Sequence, residues 1–302
     1  MTRTITYHPD SSYNGHKISE YLRNLGYTRQ SLTILRYDEG SIVLNDQVVH
    51  MNRLLEDGDT LTINIREKGV SENVIPVDLP FPIVYEDEDL VVINKPAGMP
   101  SHPSMKNFDN TLGNAAAYYF SKMVCDNNNF VYRCVNRLDK DTTGLTIIAK
   151  HMVSGGILYE QIQKKILRRE YVAIVEGTDL PDNGTIDLPL SRDLDSAIAR
   201  KVDFENGDRA VTHFEVISRG KGLSFVRFRL ETGRTHQIRV HMLASGHPLI
   251  GDFLYNPENN IMARQALHAG KLSFLHPMTG EAVCFEVPVP DDMQAVLDTY
   301  FE

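Results

Sequence analysis

No apolar run in the chain approaches the ~20 residues that a membrane-spanning helix requires, and the opening "MTRTITYHPD" has none of the apolar stretch of a secretory signal. A cytoplasmic protein with no membrane partner is therefore expected. Cysteine is scarce: Cys125, Cys134 and Cys284 are odd in number, far apart and never in C-x-x-C spacing, which argues against a disulfide framework or a thiolate metal site and reads as buried or idle thiols. Positive charge is also in short supply. With 31 Lys and Arg against 40 Asp and Glu, the net charge is -9, too acidic for a chain that coats nucleic acid through bulk electrostatics, though compatible with a local basic groove. Lys164 and Lys165 in "QKKILRRE" read as a solvated helix face. Internal repeats and low-complexity segments are missing too. What is present, 42% hydrophobic and 24% charged residues over 302 positions, fits about two globular domains.

Residues 17 to 66 read as a compact ααβ unit. Ile18, Tyr21, Leu22 and Leu25 recur at helical spacing up to Gly26, Thr28 is placed to cap a second helix through Leu32, Ile34 and Leu35, and Gly40 stops it. "SIVLNDQVVH" then reads as strand, Asn45-Asp46 turn and strand, and "EDGDTLTINI" as a turn into an alternating strand. A polar stretch followed by three prolines, "EKGVSENVIPVDLPFP", marks a linker. The expected division is a small domain over 1–70, a linker over 71–82 and a larger domain over 83–302. In the larger domain, strands at 170–176, 211–217, 223–230 and 282–287 mix with helical stretches such as 152–167 and show few regular βαβ crossovers, so α+β is favoured over a doubly wound sheet.

The chemistry is concentrated in few segments. "NRLDKDTTGL" (136–145) sets Asp139 and Asp141 beside Arg137. As a calcium loop it fails at its twelfth position, which is Lys150 where a bidentate Glu belongs. As D-x-D-x-T it is similar to the start of haloacid-dehalogenase-type phosphatases, with Asp252 of "GDFLYN" as a magnesium ligand, but the preceding "VYRCVNRL" is not a clean apolar strand. Taken alone, it is a turn capped by aspartate. "LVVINKPAGMPSHP" (90–103) runs a strand into a loop stiffened by Pro96, Pro100 and Pro103, and "RREYVAIVEG" (168–177) heads a strand with Tyr171. "LETGRTHQIRVHM" turns at Gly233, and Thr235 is placed to cap a helix ending before Gly246. Arg234 at that helix start suits a phosphate. His236 and His241 are five apart, not the i, i+4 pair of a helical zinc site.

Taken together and in this order, "VVINKPAGMPSHP", "NRLDKDTTGL", "REYVAIVEG" and "LETGRTHQIRVHM" resemble the RluA-type pseudouridine synthase family over roughly residues 83 to 290. "LNDQVV" and "DGD" of the first domain resemble the alpha-L RNA-binding motif found in ribosomal small-subunit protein four. The resemblance implies a mixed, largely antiparallel central sheet with flanking helices and a catalytic cleft, and isomerisation of a uridine in structured RNA to pseudouridine. Ribosomal RNA is the favoured substrate and transfer RNA the alternative. It implies no metal and no organic cofactor; a monomer is the default expectation.

By the same resemblance Asp139 is the catalytic carboxylate, as nucleophile at the anomeric carbon or as base at the sugar. Shut behind a nucleotide, such an acid would be neutralised by desolvation unless a cation opposed it; Arg239 of "HQIR" is the expected partner and Arg234 the competing one. Arg137 is expected to fill the gap left by an extruded uridine, Tyr171 to stack on the uracil, Ile238 to wall the pocket, and Asn136, where many relatives carry His, to contact RNA. Asp141 is expected only to shape the turn, and Leu145 to sit in the core. The alternatives are a magnesium-dependent phosphatase and an RNA-binding protein without catalysis.

Overall fold

Apolar alternation in the first domain is strongest along one strand, where Leu61, Ile63 and Ile65 face inward while Thr62 and Asn64 between them stay half-buried on the other face. The computed structural model describes residues 2–67, 69, 71, 73–122 and 130–301. Its first unit runs β1 (Thr2–Tyr7), α1 (Ile18–Asn24), α2 (Arg29–Tyr37), β2 (Ile42–Leu44), β3 (Gln47–Val48) and β4 (Leu61–Arg66). The sheet has the order β1-β4-β2-β3 and is antiparallel throughout. Thr28 accepts from the Ser31 amide at 3.1 Å and so caps α2. Asn45 and Asp46 both take positive φ, 49° and 63°, which closes the β2–β3 hairpin. β1 lies outside the stretch marked by periodicity because only Ile5 of its six residues is buried.

The larger unit follows with β5 (Ile83–Glu86), β6 (Leu90–Lys95), α3 (Leu112–Ser121), β7 (Thr143–Ala149), α4 (Met152–Gln163), β8 (Arg168–Glu176), β9 (Asn183–Asp187), β10 (Leu190–Arg192), β11 (Arg200–Val202), β12 (Val211–Gly220), β13 (Leu223–Leu230), α5 (Gln237–Ala244), β14 (Leu267–Leu275), β15 (Ala282–Glu286) and α6 (Asp291–Tyr300). Among the described residues nine strands form one sheet in the order β5-β6-β7-β14-β8-β13-β12-β9, with β15 added on β14. Among the described strands only β7 and β14 pair in parallel, so the sheet is mixed and largely antiparallel, as expected. That parallel contact is close: a Cβ on Gly144, whose φ is +113°, would lie 2.3 Å from the Ala269 carbonyl oxygen, so only glycine fits. The start of α5 differs from expectation. His236, not Thr235, is its N-cap, with φ 58° and no side-chain capping bond; the Thr235 hydroxyl instead accepts from Arg137 at 2.6 Å. Cys134 is half-buried and Cys284 exposed, and Cys125 lies outside the described residues.

The two units are packed together through α4. Its interior holds Gly155 and Gly156, each about 1 kcal/mol worse than alanine in a helix. A Cβ on Gly156 would meet Thr28 Cγ2 at 2.9 Å, so the glycine lets the start of α2 sit against the helix backbone. Val153 and Ile157 of α4 complete the core formed by Ile18, Leu22 and Leu32. Ion pairs flank this contact: Arg133 Nη2 to Glu67 Oε2 and Arg3 Nε to Asp89 Oδ1, both at 2.8 Å. Between the units, Val74, Leu79 and Phe81 pack on the α3 core, and Asn114 of α3 donates to the Ile75 carbonyl at 2.8 Å.

Asp89 also accepts from His151 Nε2 at 2.9 Å. Burial works against its charge, but His151 and Arg3 more than offset this and hold its carboxyl at about 2. A folded value below the unfolded one, about 3.9, gives stability that is complete above pH ~4 and lost as pH falls toward 2. Asp89→Asn is expected to flatten the decline of melting temperature over that window, and an unchanged slope contradicts the assignment.

Candidate active site

Asp139 lies in a turn immediately before β7, closed by the Thr142 amide donating to the Asp139 carbonyl at 3.2 Å. The proline-rich loop after β6 grips this turn from one side. Lys95, fully buried, donates to the carbonyls of Pro96 at 2.7 Å, Met99 at 2.9 Å and Lys140 at 3.0 Å. Burial pushes the ammonium down to about 7, opposed by Asp141 and Asp139; three carbonyl acceptors use all three of its N–H groups and favour the charged form. Ser101 Oγ donates to the Leu138 carbonyl at 2.7 Å and accepts from the Leu138 amide at 3.1 Å. Asp139 is thus flanked by anchored neighbours.

Two arginines reach the turn from the other side. Arg239 on α5, 2% exposed, donates through Nε and Nη2 to Asp252 at 2.6 and 2.7 Å, leaving Nη1 to reach Asp139 Oδ2 at 3.3 Å. Burial opposes its charge, yet the bonds and charge of Asp252, with Asp139 adding, raise its pKa above the ordinary value. Arg264 repeats the arrangement: Nε and Nη2 bind Asp292, both at 2.7 Å, and Nη1 donates to the Asp141 carbonyl at 3.1 Å.

His236 Nε2 stands 3.9 Å from Asp139 Oδ2. The Arg200 amide donates to the Tyr255 hydroxyl, and that hydroxyl meets His236 Nδ1, each at 2.8 Å. Burial drives the imidazole down to about 4, so it is neutral near pH 7. Tyr255 also stacks under Arg239, with Cζ 4.9 Å from the ring centroid.

Asp139, Arg137, Tyr171, Arg234, Ile238 and Arg239 line one small cavity of about 50 Å³. It adjoins a wider cleft of about 630 Å³ that shares Arg137, Asp139 and Arg234. Tyr171 and Ile238 are both buried, 5% and 3% exposed. Arg234 is not the partner of Asp139: its Nη1 pairs with Asp208 at 3.1 Å. Asn136 corrects the expectation of an RNA contact. Its side chain donates to the Leu145 carbonyl at 3.0 Å and accepts from the Ile147 amide at 2.9 Å, so it clamps β7.

Residues 89–244, more than half of the chain, match the model of the family described as RNA pseudouridylate synthase. The chain belongs to that family. A pseudouridine synthase is an isomerase acting on RNA. The chain is 41% identical over 262 residues to the uncharacterized RNA pseudouridine synthase YhcT of Bacillus subtilis (strain 168), covering 86% of this chain and 85% of the relative. It is 37% identical over 285 residues to ribosomal large subunit pseudouridine synthase D of Neisseria meningitidis serogroup A, covering 90% and 74%. Among solved structures, human RNA pseudouridylate synthase domain containing 1 aligns with a TM-score of 0.59 and 25% identity over 74% of this chain and 88% of that one.

The phosphatase alternative finds no support. Asp139 precedes a strand instead of ending one. Asp252, its supposed magnesium ligand, gives both oxygens to Arg239 and accepts the Leu254 and Tyr255 amides at 3.1 Å. Sequence reasoning missed Asp252, Arg264 and Asp292 as supports of this turn, and all three lie beyond the matched stretch. Lys95→Met removes the donor of three carbonyls and is expected to lower unfolding free energy by about 2–4 kcal/mol in urea titrations. A loss under about 0.5 kcal/mol would mean that the turn needs no such anchor.

Proposed function

We propose that Asp139 is the carboxylate that carries the isomerisation, acting on a uridine extruded from structured RNA into the cavity beside it. The observation that carries this reading is the Asp139–Arg239 pair at 3.3 Å, walled by Tyr171 and Ile238. The bond from the sugar to the uracil nitrogen N1 breaks, the uracil turns while bound, its C5 joins the sugar in place of N1, and the proton that C5 loses is balanced by the one that N1 gains. Asp139 serves the sugar as nucleophile or base, and Arg239 balances its charge in a site shielded from water. Tyr171 offers its ring to the uracil, Arg137 at the cavity mouth fills the place of the extruded base, and Arg234 contacts phosphate.

The favoured substrate is ribosomal RNA, the target class carried in the name of the Neisseria relative; transfer RNA is the alternative. The unit formed by residues 1–70 is proposed as an alpha-L-type RNA-binding domain joined through 71–82 to a catalytic domain over 83–302. The protein is read as a cytoplasmic monomer working without metal or organic cofactor. No helix among the described residues is long and apolar enough to cross a membrane.

Pseudouridine mapping of total RNA from cells with and without the gene identifies the position. At that position Asp139→Asn is expected to lower turnover by at least about a hundredfold while RNA binding stays within a few-fold. Undiminished turnover contradicts the assignment of Asp139.

A further inference from the structure

The first turn of α2 and the exposed side of α4 enclose a groove of about 720 Å³, lined by Arg29, Ile34, Arg133, Met152, Tyr159 and Gln163 among others. It is continuous with the cleft at Asp139, because Tyr159, Gln163 and Val135 line both. Tyr159 stands at the junction. It is 60% exposed, and among the described residues its hydroxyl and ring have no hydrogen-bond or ring partner. Arg29 is exposed and likewise forms no ion pair among the described residues. The acid among the lining residues, Glu160, is paired with Lys164 at 2.9 Å, so the uncompensated charge in the groove is positive.

The groove is also fixed in shape. Gly156 admits Thr28 against the backbone of α4, and Arg133, one of the lining residues, is held by Glu67 at 2.8 Å. A nucleotide held at Asp139 has chain on both sides that must leave the cleft, and this channel leads away from it.

We infer that the groove between α2 and α4 holds the unpaired RNA strand next to the target uridine, with one base stacked on Tyr159 and a phosphate against Arg29. A row of apolar surface, an open aromatic ring and an unpaired guanidinium is what a single strand needs for binding without sequence reading. The inference rests on the cleft at Asp139 being the catalytic one.

The test compares the full-length wild type with Tyr159→Ala, Tyr159→Phe and Arg29→Glu on total RNA from cells lacking the gene, reading pseudouridine at the position that the wild type modifies. Tyr159→Ala is expected to raise KM about 5- to 150-fold, the range one stacked base carries, with kcat within about twofold. Tyr159→Phe keeps the ring and should stay near the wild type. Arg29→Glu should raise KM and make its salt dependence shallower. A KM unmoved in both Tyr159→Ala and Arg29→Glu, or a fall in kcat alone, overturns the inference. If Tyr159→Ala melts early, Arg29→Glu decides by itself. A wild type that modifies no RNA contradicts the catalytic reading instead.

Discussion

The site depends on one guanidinium whose direction is fixed from behind. Arg239 is almost fully buried, and removing such a charge from water costs several kcal/mol unless partners replace the solvent. Asp252 meets that demand with two short bonds, and by occupying Nε and Nη2 it leaves one edge of the guanidinium for Asp139. The same device recurs in Arg264, which Asp292 holds while Nη1 reaches the Asp141 carbonyl. One arginine fixes the side chain of the turn's acid and the other fixes the turn's backbone.

The fold makes these contacts possible by bringing distant segments to the same place. β7 leaves the turn and runs parallel to β14, close enough that Gly144 has no room for a side chain. The end of β6 and the loop after it add Lys95 and Ser101 on the opposite flank. A turn of this kind, held through its carbonyls, fixes the backbone at Asp139 and leaves the half-buried carboxylate to Arg239 and the cavity. Preorganisation of this sort spares the reaction the cost of ordering its own acid.

Local pattern carried much of this into view. The strands over 211–217 and 223–230, the α2 cap at Thr28 and the Asn45-Asp46 turn all follow from neighbours in sequence, and the four ordered segments lead to Asp139 and Arg239. What escaped was long-range. Asp252 stands in a turn segment with no regular periodicity, and its partner is 13 residues away on a helix; Arg264 and Asp292 meet across 28 residues. Asn136 looked like a contact residue because many relatives carry His there, and only the register of β7 shows where its amide goes. β1 was missed because its outer face is polar, and the role of Gly156 needs the other unit in view.

The most direct test of the central claim is a double-mutant cycle on kcat/KM for pseudouridine formation with Arg239→Lys and Asp252→Asn. If Asp252 acts by aiming Arg239, each single change lowers the rate and the double variant is no worse than Arg239→Lys alone. Losses that simply add would show that Asp252 acts independently, and the account of the aimed guanidinium would be wrong.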